Sequence, residues 1–346
     1  MAAVTTNEAD LAAAPGAGWR SPAVMLVLIA PLIGEVLNGA TRLSYIFVFV
    51  PQVMVWGCGA LLVREVVHRW NGGWISILML GLALATAVEL LILQTSLAPI
   101  PWLELMSIPA YGRVWGVNWP WLWFMLGYEA VWIVVVPILI AQLVFPERRE
   151  EAWLSGRGLA IAAFVFALGS LGLWVLWTQI AVPTAFKVPK YWPPVSTLVV
   201  GLFSTAAIVL AAYALRTVKE SPGVRSRRVA PSWQVGAGAM LLALPWWALI
   251  VLVFVPTLSL PLWVPLAAGA LWAAGAFVVV RGWSNASAWN DRHRWSLAFG
   301  ALVACMLAGY LGSHTWPAID LAAKAVLNVA AVERMIALAR GVWRRT

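Results

Sequence analysis

Two apolar stretches decide the fold: WISILMLGLALATAVELLILQTSLA at residues 74–98 and WPWLWFMLGYEAVWIVVVPILIAQLVF at residues 119–145. Each is long enough to cross the roughly 30 Å hydrocarbon core of a membrane as an α-helix. Each also carries one carboxylate deep in its apolar run, Glu89 in the first and Glu129 in the second. We therefore expect two antiparallel transmembrane helices whose acids lie at one depth, roughly 15 Å from the outer ends.

The rest of the chain has the composition of a multi-pass membrane protein. Of its 346 residues 62% are hydrophobic and only 11% are charged, whereas soluble domains are roughly 25% charged. Its apolar runs are far longer than the alternating ten-residue strands of a membrane β-barrel. The sequence therefore predicts an all-α, polytopic transmembrane helix bundle, with the lipid bilayer as its main partner.

We predict ten spans in one domain. Residues 1–21 are expected to form a flexible cytoplasmic tail, and residues 22–346 a single transmembrane helical domain. The predicted spans are Pro22–Gly39, Tyr45–Val67, Trp74–Ala98, Trp119–Phe145, Leu159–Val182, Val195–Leu215, Trp233–Val255, Leu262–Val280, Trp295–Gly312 and Ile319–Arg340. The last is amphipathic, and the alternative is that it lies flat on the membrane.

The basic residues favour ten spans with both termini in the cytoplasm. Of the 23 Lys and Arg residues, Lys324 and Arg334 fall inside the last span, and the predicted external segments hold only Arg42, Arg113, Lys187 and Lys190. All the others are on predicted cytoplasmic segments, as the positive-inside rule requires. Topology thus explains the net charge of +9, so we expect no nucleic-acid partner. The expected location is the cytoplasmic (inner) membrane of a bacterium.

The candidate site is built around Glu89 and Glu129. A charge in hydrocarbon is costly, so such acids often bind a cation or relay protons. The alternative is that each is neutral and only fixes helix packing. Lys324 is the natural counter-charge because it should lie at a similar depth in the last span. Asp320, Lys324 and Asn328 are spaced i, i+4, i+8 and should share one face turned into the bundle. A local Asp320–Lys324 bond is the alternative.

Glu35 lies closer to the outer end of the first span, and we expect it to pair with Arg42 or Arg113 in a structural role. The outer loop Pro99–Asn118 is rich in Trp and is interpreted as a lid, a ligand-contacting surface or an interfacial segment. The basic loop Arg216–Arg228 is interpreted as topogenic, with binding of anionic lipid as the alternative.

No cofactor or metal site is predicted. The two cysteines, Cys58 and Cys305, lie in separate apolar spans, so the sequence has neither a disulfide framework nor a metal-ligand spacing. The three histidines are not placed to share a metal with the deep acids. The sequence also lacks a phosphate-binding Gly loop, a nucleophile elbow and an HExxH motif.

Part of the chain, from Arg69 to Leu159, resembles a family of uncharacterised bacterial multi-pass proteins. The resemblance rests on GGWISILMLGLALATAVELL at 72–91, YGRVWGVNW at 111–119, EAVWIVVVPI at 129–138 and VFPERR at 144–149. That family is distantly similar to the CAAX-type (CPBP) intramembrane peptidases, which use a Glu-Glu pair, an Arg four residues on and histidines. Here Glu89 is followed by Leu90, and Glu129 stands where a histidine is expected.

Three functions stay open on the sequence. The leading hypothesis is a non-enzymatic membrane protein that binds or transports a small solute or ion through a polar site of Glu89, Glu129 and Lys324, with Asn328 and Glu35 nearby. The alternative from the enzyme class is a divergent or inactive CAAX-like intramembrane peptidase. The third is a structural subunit with an unknown membrane protein partner.

Overall fold

The computed structural model describes residues 21–98, 112–187, 189–218, 230–254, 260–311 and 313–346. Each predicted span has a helix at its place within these ranges. The helices are α1 Pro22–Leu37, α2 Leu43–Arg69, α3 Trp74–Ile92, α4 Trp119–Val144, α5 Gly156–Thr184, α6 Val195–Thr217, α7 Ser232–Phe254, α8 Trp263–Ser284, α9 Asp291–Ala308 and α10 Ala318–Arg345. The predicted tail, most of the outer loop and most of the basic loop lie outside the described residues.

Strand structure in the described ranges is limited to one hairpin between α3 and α4. Its strands are β1 Arg113–Val114 and β2 Val117–Asn118, paired antiparallel. Asn118 then starts α4, because its side chain accepts a hydrogen bond from the backbone N–H of Trp121 at 3.1 Å. Asn is a favoured residue at this position, and Pro120 is accommodated in the first turn. The predicted all-α fold class is confirmed.

Six of the described helices are long and apolar enough to cross a membrane: α2, α3, α4, α5, α6 and α8. This is compatible with an integral membrane protein. α1 is apolar but shorter, α9 begins with Asp291, Arg292 and Arg294, and α10 carries charged residues along its length. The span count of ten and the cytoplasmic location of the termini therefore stay predictions.

Contacts between helix ends show that consecutive helices run in alternating directions. The end of α2 meets the segment before α5, where Arg69 Nη2 donates to the main-chain oxygen of Leu154 at 2.7 Å. The end of α10 meets the end of α4, where Arg345 Nη2 donates to the oxygen of Leu143 at 3.2 Å. We call the end of the bundle that carries Arg69 and Arg345 the basic end.

The opposite end gathers the other helix termini. Backbone N–H and hydroxyl of Ser44, at the start of α2, donate to Asp320, at the start of α10, at 2.9 and 2.8 Å. The ends of α3 and β2 meet where the N–H of Asn118 donates to the oxygen of Ser96 at 2.8 Å. Helices packed this way form an up-and-down bundle.

The core is centred on α4 and not on the helices that surround it. In the apolar part of α4, 72% of the residues are buried, compared with 11% in α6 and in α8. Glu89 and Glu129 lie on the well-covered helices α3 and α4. Helices α5, α6 and α8 form the periphery, and many of their apolar side chains are exposed on the surface of the bundle.

Candidate functional site

Three deep acids lie on three different helices, each within a π-helical stretch. Glu35 is in Leu32–Leu37 of α1, Glu89 in Val88–Ile92 of α3 and Glu129 in Glu129–Val135 of α4. A π-turn interrupts the regular ladder of a helix and frequently marks a functional site. We call these three residues the acidic centre.

Glu89 is fully buried, and its hydrogen-bond donors come from the segment that follows its own helix. The Thr95 hydroxyl lies 2.8 Å from Oε1 and 2.6 Å from Oε2. Ser96 donates to Oε2 from its backbone N–H at 3.0 Å and from its hydroxyl at 2.5 Å. Thr95 is itself held by Trp121 Nε1 at 3.0 Å. The carboxyl group is therefore well supplied with donors.

Glu129 is 1% exposed and has far fewer partners. Trp56 of α2 donates from Nε1 to Oε1 of Glu129 at 3.1 Å. Oε2 has no hydrogen-bond partner among the described residues. A buried carboxylate oxygen without a donor loses its hydration without compensation. Glu129 thus has a buried oxygen with unused capacity to bind a proton or cation.

Glu35 is held by neutral side chains. Thr41 donates to its Oε2 at 3.3 Å and Gln52 Nε2 at 3.2 Å, while Gln52 also donates to Thr41 at 2.6 Å. The predicted pairing with a basic residue is wrong, because Arg42 lies over the ring of Trp316 at 4.9 Å. The other expected partner, Arg113, donates to main-chain oxygens of the hairpin region.

The helices that carry the three acids pack together. The π-helical stretches of Glu35 and Glu129 contact each other, and the Tyr128 hydroxyl donates to the main-chain oxygen of Gly34. Helix α3, which carries Glu89, packs against the same stretch of α4. That Glu89 and Glu129 share one site stays a prediction. In the ranges that the structure describes, no group of three His, Cys, Asp or Glu side chains is placed to hold a metal ion.

Lys324 does not neutralise the acidic centre directly. Its Nζ donates to the main-chain oxygens of Leu37 at 2.7 Å and Met306 at 3.1 Å, and lies 4.3 Å from the centre of the Tyr310 ring. The expected ion pair with Glu89 or Glu129 is wrong for the described residues, since none of the ion pairs found there includes Lys324. The helix ends satisfy this lysine instead.

The predicted shared face of α10 is present. Asp320, Lys324 and Asn328 are 2%, 4% and 8% exposed, so all three point into the bundle. The local Asp320–Lys324 bond is wrong too, because Asp320 accepts its hydrogen bonds from Ser44. The Asn328 amide lies 3.1 Å from both Lys324 Nζ and the Leu37 oxygen, and the orientation with its oxygen toward the lysine satisfies both contacts.

The five predicted site residues therefore form two neighbouring sites. Glu35, Glu89 and Glu129 make the acidic centre, while Lys324 and Asn328 make a separate lysine site. Cys305 of α9 lies against the end of α1, where its Sγ is 4.0 Å from the main-chain oxygen of Ile33. Its Sγ is also 3.7 Å from the Asn38 amide nitrogen.

Sequence reasoning missed Gln52, Trp56 and Glu65. Gln52 and Trp56 are one turn apart on α2, and they supply donors to Glu35 and Glu129. That i, i+4 spacing was the available signal, but polar or indole groups in an apolar run are common. Glu65 is completely buried and lies near the basic end. Its spacing to Arg69 is that of a helical ion pair, which is present at 2.6 Å.

Comparisons of the chain with family models, with curated proteins and with solved structures find no match. The resemblance to CAAX-type peptidases therefore stays a prediction. In the structure, the position after Glu89 holds the buried apolar side chain of Leu90.

Proposed function

We propose that this chain is an integral membrane protein in which the acidic centre binds protons and couples their movement to transport of a small solute or ion. The observation that supports it is the buried Oε2 of Glu129, which has no partner in the described part of the chain and lies on a helix packed against those that carry Glu35 and Glu89. A second unpartnered oxygen, Oε1 of Gln52, lies beside Glu35.

Ionising the acids of the acidic centre is energetically unfavourable. Three ionised carboxylates in one buried cluster would repel one another, and in a low dielectric each would lack its hydration. Removing that penalty requires a proton or a cation. Because the described residues show no metal-binding group and no basic side chain paired with these acids, protons are the ligand that suits them best.

Glu129 has the central role in this proposal, and Glu89 a supporting one. Glu129 has a single neutral donor, Trp56. Whether its carboxyl group is charged or neutral therefore depends on the protonation of the neighbouring acids. Glu89 has several donors from Thr95 and Ser96, which stabilise a negative charge. We therefore assign proton uptake and release to Glu129, with Glu89 as the neighbouring acid.

The test is proton exchange by the purified protein. Infrared difference spectra between acid and alkaline pH should show a protonated carboxyl band that is lost in Glu129→Gln. The matched control is Glu333→Gln, which changes an exposed glutamate of α10 and should leave that band in place. Identical spectra for wild type and Glu129→Gln would overturn the proposal.

A second measurement addresses transport. In proteoliposomes with an internal pH dye, a potassium diffusion potential set by valinomycin should drive proton entry with the wild-type protein. Glu129→Gln and Glu89→Gln should each reduce this entry to the level of protein-free vesicles, and Glu333→Gln should not. Equal proton entry with all variants would overturn the transport proposal and indicate that the acids only fix helix packing, as in a structural subunit.

We further propose ten spans with the basic end in the cytoplasmic compartment of a bacterial inner membrane. Alternation of the described helices supports an even number, and the distribution of Arg and Lys supports this orientation. Reporter fusions test it. A fusion after Thr346 should be active as a cytoplasmic fluorescent protein and inactive as a periplasmic phosphatase, and the reverse result would invert the topology.

A further inference from the structure

Glu65 is the centre of a hydrogen-bond network at the basic end. It is completely buried on α2 and accepts from Arg64 Nη1 at 2.5 Å and Arg69 Nη1 at 2.6 Å. It also accepts from the backbone N–H groups of Trp153 at 3.0 Å and Leu154 at 3.2 Å. One carboxylate therefore ties the end of α2 to the segment between α4 and α5.

Arg64 extends the network toward α9. Its guanidinium lies 3.8 Å from the centre of the Trp153 ring, and its Nη2 donates to the main-chain oxygen of Arg149 at 2.8 Å. Arg149 in turn forms an ion pair with Asp291, the first residue of α9, at 2.9 Å. We call the set Arg64, Glu65, Arg69, Arg149, Trp153 and Asp291 the clasp.

The clasp is a feature of one end only. All ion pairs within 4 Å between described residues lie at the basic end: Arg64–Glu65, Arg69–Glu65, Arg148–Glu151, Arg149–Asp291 and Arg294–Asp291. At the opposite end, the described polar contacts of the acidic centre are hydroxyl, amide and indole groups. The ion pairs of the described residues are thus concentrated at the basic end.

Apolar side chains of α4 lie between the clasp and the acidic centre. On α4, every buried residue from Ile133 to Leu143 is apolar. By contrast, Thr41 and Thr95, which donate to Glu35 and Glu89, follow these acids toward the opposite end. Polar side chains thus lie next to the acidic centre on the side of the opposite end. On the side of the basic end, the buried residues from Ile133 to Leu143, which we call the plug, separate the centre from the clasp.

We propose that the clasp is the gate that closes the acidic centre on the basic-end side, and that it must open for the centre to communicate with that compartment. The inference rests on the proposed function only for what passes through the gate. Opening separates α2 and α9 from the segment between α4 and α5, because those are the three parts that the clasp joins.

Cys58 provides a native reporter of this opening. It is buried on α2 between Trp56, which contacts the acidic centre, and Arg64 of the clasp. The seven residues from Cys58 to Glu65 correspond to roughly 10 Å along the helix. A charged, membrane-impermeant thiol reagent therefore reaches Cys58 from the basic end only when the clasp and the plug open. A Cys305→Ala background removes the second thiol.

The variants are Asp291→Asn and Arg149→Met, each of which breaks the ion pair between loop and α9. We expect the labelling rate of Cys58 from the basic-end side to rise about tenfold or more, because removing a partly buried pair shifts the balance between closed and open states. The matched control is Glu151→Gln, which breaks the exposed Arg148–Glu151 pair at the same end and should change nothing.

Two outcomes would overturn the proposal that the clasp is a gate. One is an unchanged Cys58 labelling rate in both Asp291→Asn and Arg149→Met, with each protein monodisperse in detergent. The other is an equal rise in Glu151→Gln, which would show general loosening of the end. The readout does not use protons, so failure of Glu129→Gln to alter the infrared spectrum would remove the proposed function and leave the labelling result intact.

Discussion

The side-chain ammonium of Lys324 donates a 2.7 Å hydrogen bond to the main-chain oxygen of Leu37, the last residue of α1. A second bond, at 3.1 Å, goes to the oxygen of Met306 near the end of α9. The last carbonyls of a helix have no partner within it and carry the negative end of its dipole. One buried lysine of α10 thus completes the ends of two other helices.

Replacing Lys324 by Met should destabilise the protein by about 1–3 kcal/mol. The variant keeps an apolar chain of similar length but leaves the buried oxygen of Met306 without this donor, while the Leu37 oxygen keeps only the Asn328 amide. Thermal unfolding in detergent, followed by size-exclusion chromatography, measures the loss. The control is Lys187→Met at an exposed position beyond α5, expected to be near neutral. Wild-type stability of Lys324→Met would show that water or lipid replaces the ammonium.

The hydroxyl group of Thr95 should stabilise the folded protein through its hydrogen bond to Glu89. Thr95→Val keeps the shape of the side chain and removes the donor to both oxygens of Glu89, which we expect to cost about 1–3 kcal/mol. Thr86→Val on the same helix is the matched control. Its hydroxyl bonds only to the oxygen of Leu82 one turn earlier, so its loss should cost little. Equal unfolding temperatures for the two variants would contradict this role of Thr95.

The sequence predicted which face of α10 is buried, but not what that face contacts. The inward face follows from the i, i+4, i+8 pattern of Asp320, Lys324 and Asn328, which are all buried in the structure. Which helix each face meets depends on how helices rotate and pack, and that information is spread over the whole bundle.

Lys324 and Glu65 show the same limit from two sides. The sequence predicts that Lys324 pairs with a carboxylate, but in the structure its ammonium group donates to main-chain oxygens at the ends of α1 and α9. Glu65 was absent from the predicted site because it lies next to Arg64 near a helix end, where charged residues are usually solvated. The segment before α5 covers it, and sequence periodicity carries no signal for such docking.

Asp291 should make stability depend on pH in the acid range. Burial opposes ionisation of this carboxyl, but hydrogen bonds and charge from Arg149 and Arg294 outweigh it and hold its pKa below the usual value. Its contribution to stability is therefore complete above the ordinary carboxyl pKa of about 4, and is lost as the pH falls through the lower pKa of the folded state.

The variant Asp291→Asn tests this linkage. Above pH 5 it should unfold at a lower temperature than wild type, by an amount corresponding to about 1–2 kcal/mol for a partly buried pair. The difference should shrink as the pH is lowered below about 4, because the wild-type carboxyl then becomes neutral as well. A difference in unfolding temperature that stays constant from pH 7 to pH 3 would contradict an ionised Asp291.

Gly300 should be required for the close packing of α7 against α9. A Cβ at this position would collide with the main-chain oxygen of Gly236 and would lie 3.0 Å from the Cβ of Ala239, so Gly300→Ala must push the two backbones apart. We expect a loss of about 2 kcal/mol or more in detergent unfolding. Gly275→Ala on α8 is the matched control. A Cβ there meets nothing within 4 Å, and alanine favours the helix by up to about 1 kcal/mol. If both variants were stabilised alike, helices α7 and α9 would not be in the contact that the structure shows.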